Sequence, residues 1–271
     1  MDPWLIVLLS LICLYILMKI VAAIGAEAPS INNDNPYLHP NQESVLPEEM
    51  QGLKLPQKPN RRTGFYELFW KRLIDEILSF FGLVILSPLF LILIIWVKTD
   101  DPGPAFFTQK RVGKGKNYFA LHKFRSMKMS TPHDMPTHML ENPDQYITKA
   151  GRFLRKSSLD ELPQIWDIFR GRMSVIGPRP ALWNQADLVA EREKHAANDV
   201  APGLTGWAQI NGRDELTIED KAALDGDYCR SISLGMDIKC FFRTIKSVAK
   251  SDGIVEGKAP AVQENEGQGK Q

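Results

Sequence analysis

The stretch ILSFFGLVILSPLFLILIIWV, from Ile77 to Val97, decides how this chain is built, because it is uncharged and long enough to cross a bilayer. A helix needs roughly 20 apolar residues to cover a hydrocarbon core about 30 Å thick. Pro88, near the middle, has no N–H for the carbonyl of Val84, and its ring disfavours helical angles at Ser87. The sequence therefore predicts a break at Ser87 and Pro88, where the serine hydroxyl could bond a freed carbonyl.

Basic residues flank this stretch on both sides, and they bear on whether it crosses the membrane or turns back. They are Lys71 and Arg72 before it, and Lys98, Lys110 and Arg111 after it. The positive-inside rule expects such charges on one side of a true span, so symmetric flanks favour two arms of about ten residues, each about 15 Å long. A kinked helix that crosses the membrane also tolerates a proline. From the residues alone, both alternatives stay open.

The composition limits the classes of protein that fit. A length of 271 residues leaves room for one soluble core plus membrane segments. The formal net charge of +1 argues against nucleic acid as a partner. Cys13, Cys229 and Cys240 are an odd number without metal-ligand spacing. We therefore expect a reducing compartment and no disulfides.

Composition shifts along the chain predict its organisation. A second apolar run at the start is preceded by Asp2 and contains Lys19, which favours an uncleaved anchor with its N-terminus outside over a signal peptide cleaved near Ala26-Glu27-Ala28. A polar, proline-rich linker follows it. The predicted segments are an anchor helix (1–24), a linker (25–62), an interfacial and re-entrant helix (63–99), a catalytic domain (100–255) and a disordered tail (256–271).

Within 100–255, the pattern predicts a short β-hairpin followed by helices. Apolar and polar residues alternate around a glycine turn in FFTQKRVGKGKNYFALHKF, which is typical of a hairpin. Residues 130–150 read as an irregular loop, and its His133 and His138 are left unassigned. Helical periodicity then returns in SLDELPQIWDIFRG, ALWNQADLVAEREKHAA, ELTIEDKAALDGDYCRS and GMDIKCFFRTIKSVAK.

Adjacent acids in RKSSLDELPQ are the strongest candidates for chemistry. Ser158 and Glu161 fit a capping box at a helix start, and this structural interpretation needs no catalysis. The alternative is that Asp160 and Glu161 form a nucleophile or a Mg²⁺ site, since Arg155 and Arg179 could keep a carboxylate ionised or bind phosphate.

Further cations lie at predicted turns. They are Lys110, Arg111, Lys123, Arg125 and Arg213. Each alone is typical of a solvated surface, but beside a membrane segment they indicate a basic site for phosphorylated ligands. The glycines of PGLTGWAQINGR would let backbone approach a phosphate, whereas the P-loop pattern is absent from the sequence.

The ordered motifs ILSPLF, QKRVGKG, KFRSM, LRKSSLDELPQ, MSVIGPRPAL and PGLTGWAQINGR resemble the bacterial sugar transferase family, the monotopic polyprenyl-phosphate phosphoglycosyl transferases, from Phe65 to Gly253. The resemblance implies a mostly helical α+β fold and a re-entrant membrane helix broken at Ser87-Pro88. It also implies a small catalytic domain with a hairpin, on the cytosolic face of the bacterial inner membrane.

The same resemblance implies a reaction and roles for residues. Asp160 would attack the β-phosphorus of a UDP-sugar, expel UMP and pass the phosphosugar to undecaprenyl phosphate, starting a surface glycan such as exopolysaccharide, capsule, O-antigen or a glycoprotein glycan. Glu161 would assist, and Mg²⁺ would bind to both acids. The implied phosphate ligands are Arg155, Arg179 and Arg213, and less directly Lys110, Arg111 and Lys123. Membrane lipids and a second copy of the chain are the remaining candidate partners.

The chain departs from the family pattern at Cys229, where many members have a tyrosine, and the N-terminal apolar helix precedes the family core. The departures bear on which sugar is used. Two rival functions are a glycosyl transferase that releases UDP and a catalytically silent membrane scaffold.

Overall fold

A computed structural model describes residues 56, 59–131, 143–212 and 216–250. The predicted anchor and tail, nearly all of the linker, His133, His138 and Arg213 lie outside these residues.

The π-helical turn Tyr66–Trp70 runs directly into helix α1. The helices are α1 (Lys71–Asp100), α2 (Lys149–Lys156), α3 (Gln164–Phe169), α4 (Ala186–Glu193), α5 (Trp207–Ile210), α6 (Ile218–Arg230) and α7 (Leu234–Lys250), and the strands are β1 (Phe106–Val112), β2 (Tyr118–Phe124), β3 (Ser174–Ile176) and β4 (Gly203–Thr205).

Helix α1 continues through Pro88 as one α-helix, where the sequence predicted two arms separated by a break. Pro88 leaves the carbonyl of Val84 without its helical donor, and the hydroxyl of Ser87 donates to that carbonyl at 2.8 Å. Ser87 is fully buried, so this bond satisfies a carbonyl that water does not reach. The predicted serine bond is confirmed, and it explains why the helix does not have to end at the proline.

One face of α1 packs on the rest of the protein and the other face is apolar and exposed. The buried face carries Ser79, Leu83, Ser87, Phe90, Leu93 and Val97. The exposed face carries Ile77, Leu78, Phe80, Phe81, Ile85, Leu91, Ile92, Ile95 and Trp96. Within the described residues, the helical run Tyr66–Asp100, 35 residues long, is the one that has the length and hydropathy to cross a membrane.

Both ends of α1 are bonded to the same globular part of the protein. At the start, Lys71 Nζ lies 2.8 Å from Asp237 Oδ2 of α7. At the end, Asp100 Oδ2 accepts a hydrogen bond from the backbone N–H of Ala150 at 2.8 Å. Lys71 is therefore buried in an ion pair rather than solvated, which removes it from the flanking charges on which the topology prediction drew.

The predicted hairpin is confirmed. Strands β1 and β2 pair antiparallel, with Phe106 opposite Phe124 and Val112 opposite Tyr118. The two phenylalanine rings stack at 5.2 Å, and Phe124 also contacts Phe90 of α1 at 5.5 Å between ring centroids. The hairpin is therefore joined to α1 through a shared apolar core.

A second, parallel sheet was not predicted. Ser174 of β3 pairs with Gly203 of β4, and Ile176 pairs with Thr205. Glycine at position 203 allows this close approach, because a Cβ there would lie 2.1 Å from the backbone nitrogen of Gly177. The glycines of PGLTGW thus serve contact between backbones, where we had expected an approach to phosphate.

The helices predicted from periodicity are confirmed in α3, α4, α6 and α7, whereas α2 was missed. Its first residue, Lys149, lies in the segment predicted as an irregular loop. The side chain of Thr148 caps this helix by accepting a bond from the N–H of Gly151 at 2.9 Å. Helix α2 carries Arg155 in its last turn, so it positions a candidate site residue.

Candidate active site

The acid pair lies in a 3₁₀ turn, Leu159–Glu161, between α2 and α3. The neighbouring side chains of Leu159 and Leu162 pack against the core cluster that contains Phe90 and Leu93 of α1. The turn that carries Asp160 and Glu161 is therefore anchored on the apolar core that α1 shares with the hairpin and α2.

The predicted capping box is wrong. Ser158 adopts a left-handed conformation, with φ 56° and ψ 17°, and its side chain makes no capping hydrogen bond. Both carboxylate oxygens of Glu161 accept bonds from cationic side chains instead of a backbone N–H. A left-handed residue other than glycine is uncommon, and such backbone strain clusters at functional sites. The structural interpretation of the acid pair thus loses its main support.

Glu161 is fixed between two cations from different segments. Lys123 Nζ of β2 donates to Oε1 at 2.9 Å, and Arg179, just after β3, donates to Oε1 at 2.5 Å and to Oε2 at 3.2 Å. Burial raises the pKa of Glu161, but the charges and hydrogen bonds of Arg179 and Lys123 outweigh it and hold that pKa well below its usual range. Glu161 is therefore ionised at neutral pH and holds both cations in place.

Asp160 has the opposite environment. Its side chain is 14% exposed, and Oδ2 lies 3.7 Å from Lys123 Nζ, beyond hydrogen-bond distance. Burial, joined by the charge of Glu161, raises its pKa against the opposing effects of Lys123, Arg155 and Arg179. We had expected the cations to keep this carboxylate ionised, and burial works against them. Neighbouring acids whose pKa values move apart are suited to different chemical roles.

Two more arginines bring positive charge to the acids. Arg111 donates to the carbonyl of Pro180 at 2.9 Å and to Gln109 Oε1 at 2.7 Å. Burial and the neighbouring charge of Arg179 lower the pKa of Arg111 to about 9. Arg155 donates from Nε to Ser126 Oγ at 2.9 Å. The site therefore gathers more cations than carboxylates, as a phosphate-binding site requires.

Lys110 does not join this group. Its Nζ lies 4.2 Å from the ring centroid of Tyr118 and 5.4 Å from that of Trp183. Lys110 and Arg111 are consecutive on β1, and consecutive side chains point to opposite faces of a strand. Since Arg111 points toward the acids, Lys110 points to the other face of the strand, and its contact with phosphate stays a prediction.

Sequence reasoning missed the side chains that hold the arginines. Ser126 and Gln109 lie inside the family motifs KFRSM and QKRVGKG, but their spacing gives no sign that they bond Arg155 and Arg111. Gly151 lets helix α2 approach Ser126 closely, because any larger residue would place its Cβ 1.9 Å from the Ser126 carbonyl oxygen. These contacts join distant segments and arise only in the fold.

The donor groups define what kind of metal site the acids could form. Among the described residues, no three His, Cys, Asp or Glu side chains cluster to hold a metal ion. Mg²⁺ often takes only one or two protein carboxylates and completes its shell with substrate phosphates and water. Asp160 and Glu161 fit such a site, formed together with a diphosphate substrate. They do not fit a preformed site made by protein alone.

Comparison with known proteins gives a family and named relatives. Residues 66–251 match the family described as bacterial sugar transferase. The UDP-glucose:undecaprenyl-phosphate glucose-1-phosphate transferase of Xanthomonas campestris pv. campestris is 40% identical over 186 residues, which cover 66% of this chain and 38% of that protein. The undecaprenyl-phosphate glucose phosphotransferase of Komagataeibacter xylinus is 38% identical over 67% of this chain and 36% of its own length.

The region of similarity covers most of a shorter relative. The exopolysaccharide production protein ExoY of Rhizobium meliloti is 35% identical over 197 residues, which cover 68% of this chain and 87% of that protein. The chain thus spans less than two fifths of the two glucose-phosphate transferases, at 38% and 36%, and most of the shorter protein.

Proposed function

Because the chain belongs to the bacterial sugar transferase family, we propose that it moves a sugar 1-phosphate from a UDP-sugar to undecaprenyl phosphate. The products would be UMP and undecaprenyl-diphospho-sugar, the first lipid-linked unit of a surface glycan. The names of the relatives support the two substrates. The observation that carries the proposal is the acid pair, in which Glu161 is fixed by Lys123 and Arg179 while Asp160 beside it is desolvated.

The reaction would proceed in two displacements at one phosphorus. A carboxylate oxygen of Asp160 bonds to the β-phosphorus of the UDP-sugar as the bond from that phosphorus to the bridging oxygen breaks, and UMP leaves with both electrons. A phosphate oxygen of undecaprenyl phosphate then attacks the same phosphorus and releases the Asp160 carboxylate. A covalent intermediate divides one difficult exchange into two in-line steps.

The cations would bind the phosphates of the UDP-sugar. They would also stabilise the negative charge that develops as the bond between the two phosphates breaks. Lys123 and Arg179 are held by Glu161, so they need little reorganisation when the substrate arrives. Arg111 and Arg155 add positive charge, and Arg213 remains a proposed phosphate ligand. When Mg²⁺ is bound, Asp160 and Glu161 would hold it with the diphosphate oxygens, and it would neutralise part of the phosphate charge.

We also propose that α1 bends at Ser87 and Pro88 in the membrane without losing its helical backbone, so that it enters the cytoplasmic leaflet of the inner membrane and returns to the same side. The attachment of Lys71 and Asp100 to one globular part supports this, because a helix crossing the bilayer would carry its two ends to opposite sides. The apolar exposed face of α1 supports membrane contact, as do exposed side chains of α7 such as Ile238, Phe241 and Phe242.

The topology predicts which residues react from the cytoplasm. Single cysteines introduced near Arg72 and near Lys114 should both be labelled by a membrane-impermeant maleimide only after the cells are opened. Cys13, Cys229 and Cys240 would first be changed to serine, with the activity of that variant checked.

Labelling of one flank from outside intact cells and of the other from inside would contradict re-entry. Pro88→Ala supplies the missing N–H to Val84 and favours a straight helix, so part of that population should acquire the crossing pattern.

The pKa of Asp160 predicts how turnover depends on pH. Because this pKa is raised in the free protein, the nucleophile is fully ionised only above it, and kcat/KM should fall as the pH drops through it. The acid limb should therefore lie above the ordinary aspartate value of about 3.9. The lowered pKa of Glu161 adds no second limb in that range. Steady-state rates between about pH 4 and 8, with circular dichroism as a folding control, test this, and a flat profile would oppose the assignment.

The nucleotide released distinguishes the proposed reaction from its rivals. Purified full-length protein in detergent is incubated with a panel of UDP-sugars, undecaprenyl phosphate and Mg²⁺, and the released nucleotide is separated by chromatography. UMP is the expected product. UDP would identify a glycosyl transferase, and no nucleotide with any sugar would favour a silent scaffold.

A further inference from the structure

Asp167 and His122 form a buried pair that takes no part in the reaction described above. The imidazole Nδ1 of His122 lies 2.8 Å from Asp167 Oδ1, and the backbone N–H of His122 donates to Oδ2 at 2.9 Å. The two side chains are 5% and 0% exposed. Since an ionised carboxylate can only accept, Nδ1 carries the proton. Both oxygens of Asp167 thus bond this one residue of β2, and Oδ1 also lies 3.9 Å from Arg172 Nη1, close enough for an ion pair.

This pair lies between the two segments that supply cations to Glu161. On one side, His122 precedes Lys123, whose Nζ bonds Glu161. On the other side, the backbone carbonyl of Asp167 accepts bonds from the N–H groups of Arg172 and Met173, at 3.0 and 3.2 Å. These bonds turn the chain at the end of α3 into β3, which leads to Arg179.

From this arrangement we infer that Asp167, with His122, is a positioning residue that sets the separation of Lys123 and Arg179 around the acid pair. The inference rests on the proposed function and goes beyond it, because neither residue touches the reacting atoms. Misplacing a catalytic group by about 1 Å costs about 10²-fold in rate. The effect should fall on kcat, because the cations matter most where charge develops, and less on the KM for the UDP-sugar.

The test compares substitutions that keep or remove the geometry. Asp167→Asn can still accept from the backbone N–H and donate to the other tautomer of His122, so kcat should stay within about tenfold of wild type. Asp167→Ala removes both bonds, and kcat should fall by about 10²-fold while KM changes by less than about threefold. Glu193→Gln is the matched control, because Glu193 is a buried carboxylate paired with Lys116 at 2.9 Å, and kcat should not change.

Three kinetic results would overturn the inference. They are a near-normal kcat in Asp167→Ala, a loss in Asp167→Asn as large as in Asp167→Ala, and an equal loss in Glu193→Gln. His122→Phe covers the case in which Asp167→Ala does not fold, since it keeps the ring volume and the backbone bond. It should lose about tenfold in kcat, and an unchanged kcat would equally overturn the inference.

A second readout needs no turnover. Lysines of the full-length protein are reductively methylated with ¹³C formaldehyde, and the NMR resonance of Lys123 is assigned with Lys123→Arg. We expect this resonance to move in Asp167→Ala and to stay in Asp167→Asn and Glu193→Gln. An unmoved resonance in Asp167→Ala overturns the positioning role whatever the activity. Absence of UMP release in wild type, with a moved resonance, sinks the proposed reaction alone.

Discussion

Asp160→Asn is expected to abolish turnover while leaving the protein folded. The substitution keeps the size of the side chain and removes the anionic oxygen that would bond to phosphorus. A covalent step has no partial substitute, so UMP release should fall by about 10³-fold or more. The matched control is Asp187→Asn, which removes an acid from the first turn of α4 and should leave the rate unchanged.

The folded state should not suffer from Asp160→Asn. The raised pKa of Asp160 means that the folded protein binds this proton more tightly than the unfolded chain does. The stability contributed by Asp160 is therefore greatest below the unfolded pKa of about 3.9 and is lost as pH rises through the folded pKa. At neutral pH, the neutral amide should give a melting temperature equal to or above that of wild type.

A trapped intermediate would identify the nucleophile directly. Wild type incubated with UDP-sugar and Mg²⁺, without lipid acceptor, should gain the mass of a phosphosugar on the peptide that contains Asp160. Asp160→Asn should gain none. Near-normal UMP release by Asp160→Asn, or a ternary-complex rate pattern without any adduct, would mean that the lipid phosphate attacks the UDP-sugar directly.

Glu161→Gln should lose both activity and stability, which separates it from Asp160→Asn. The lowered pKa of Glu161 means that its contribution to stability is fully present above the unfolded value of about 4.3 and is lost only as pH falls through the folded pKa. The neutral amide cannot balance the positive charges of Lys123 and Arg179. We expect a loss of about 1–3 kcal/mol, which is moderated because the Glu161 side chain is 18% exposed.

For a protein of this size, each kcal/mol lowers the melting temperature by about 2–4 °C, which differential scanning fluorimetry resolves. Release of the two cations should also lower kcat by about 10²-fold. Arg230→Ala, which removes an exposed ion pair with Asp227, is the control for loss of a salt bridge and should change neither quantity. A Glu161→Gln protein with wild-type melting would mean that Glu161 does not hold Lys123 and Arg179.

Local patterns predicted the elements that local forces determine. The hairpin follows from alternation around a glycine turn, and α6 and α7 follow from their apolar periodicity. The parallel pair β3 and β4 was not predictable in this way, because three-residue strands have too few side chains to show a pattern and their pairing joins distant segments. Helix α2 had a usable signal in the cap at Thr148, which the polar neighbourhood obscured.

In the candidate site, too, sequence patterns predicted some features and missed others. Family motifs brought out the acids and most of the surrounding cations. Alternation along β1 could have separated Lys110 from Arg111, since neighbours on a strand face opposite sides. The left-handed backbone at Ser158, by contrast, opposes the ordinary preference of serine before a helix, so local rules gave the wrong structure there. The pairing of His122 with Asp167 left no trace in spacing at all.

The packing of Leu159 and Leu162 against the core cluster that contains Phe90 and Leu93 of α1 has a consequence for how the lipid substrate is met. On the proposed function, these contacts hold the acids at the surface of the membrane, and undecaprenyl phosphate arrives by lateral diffusion within the bilayer. The quantity that governs the second half of the reaction is then the mole fraction of acceptor in the lipid phase. Dilution with inert lipid or detergent at constant total acceptor should slow transfer, whereas dilution with buffer should not.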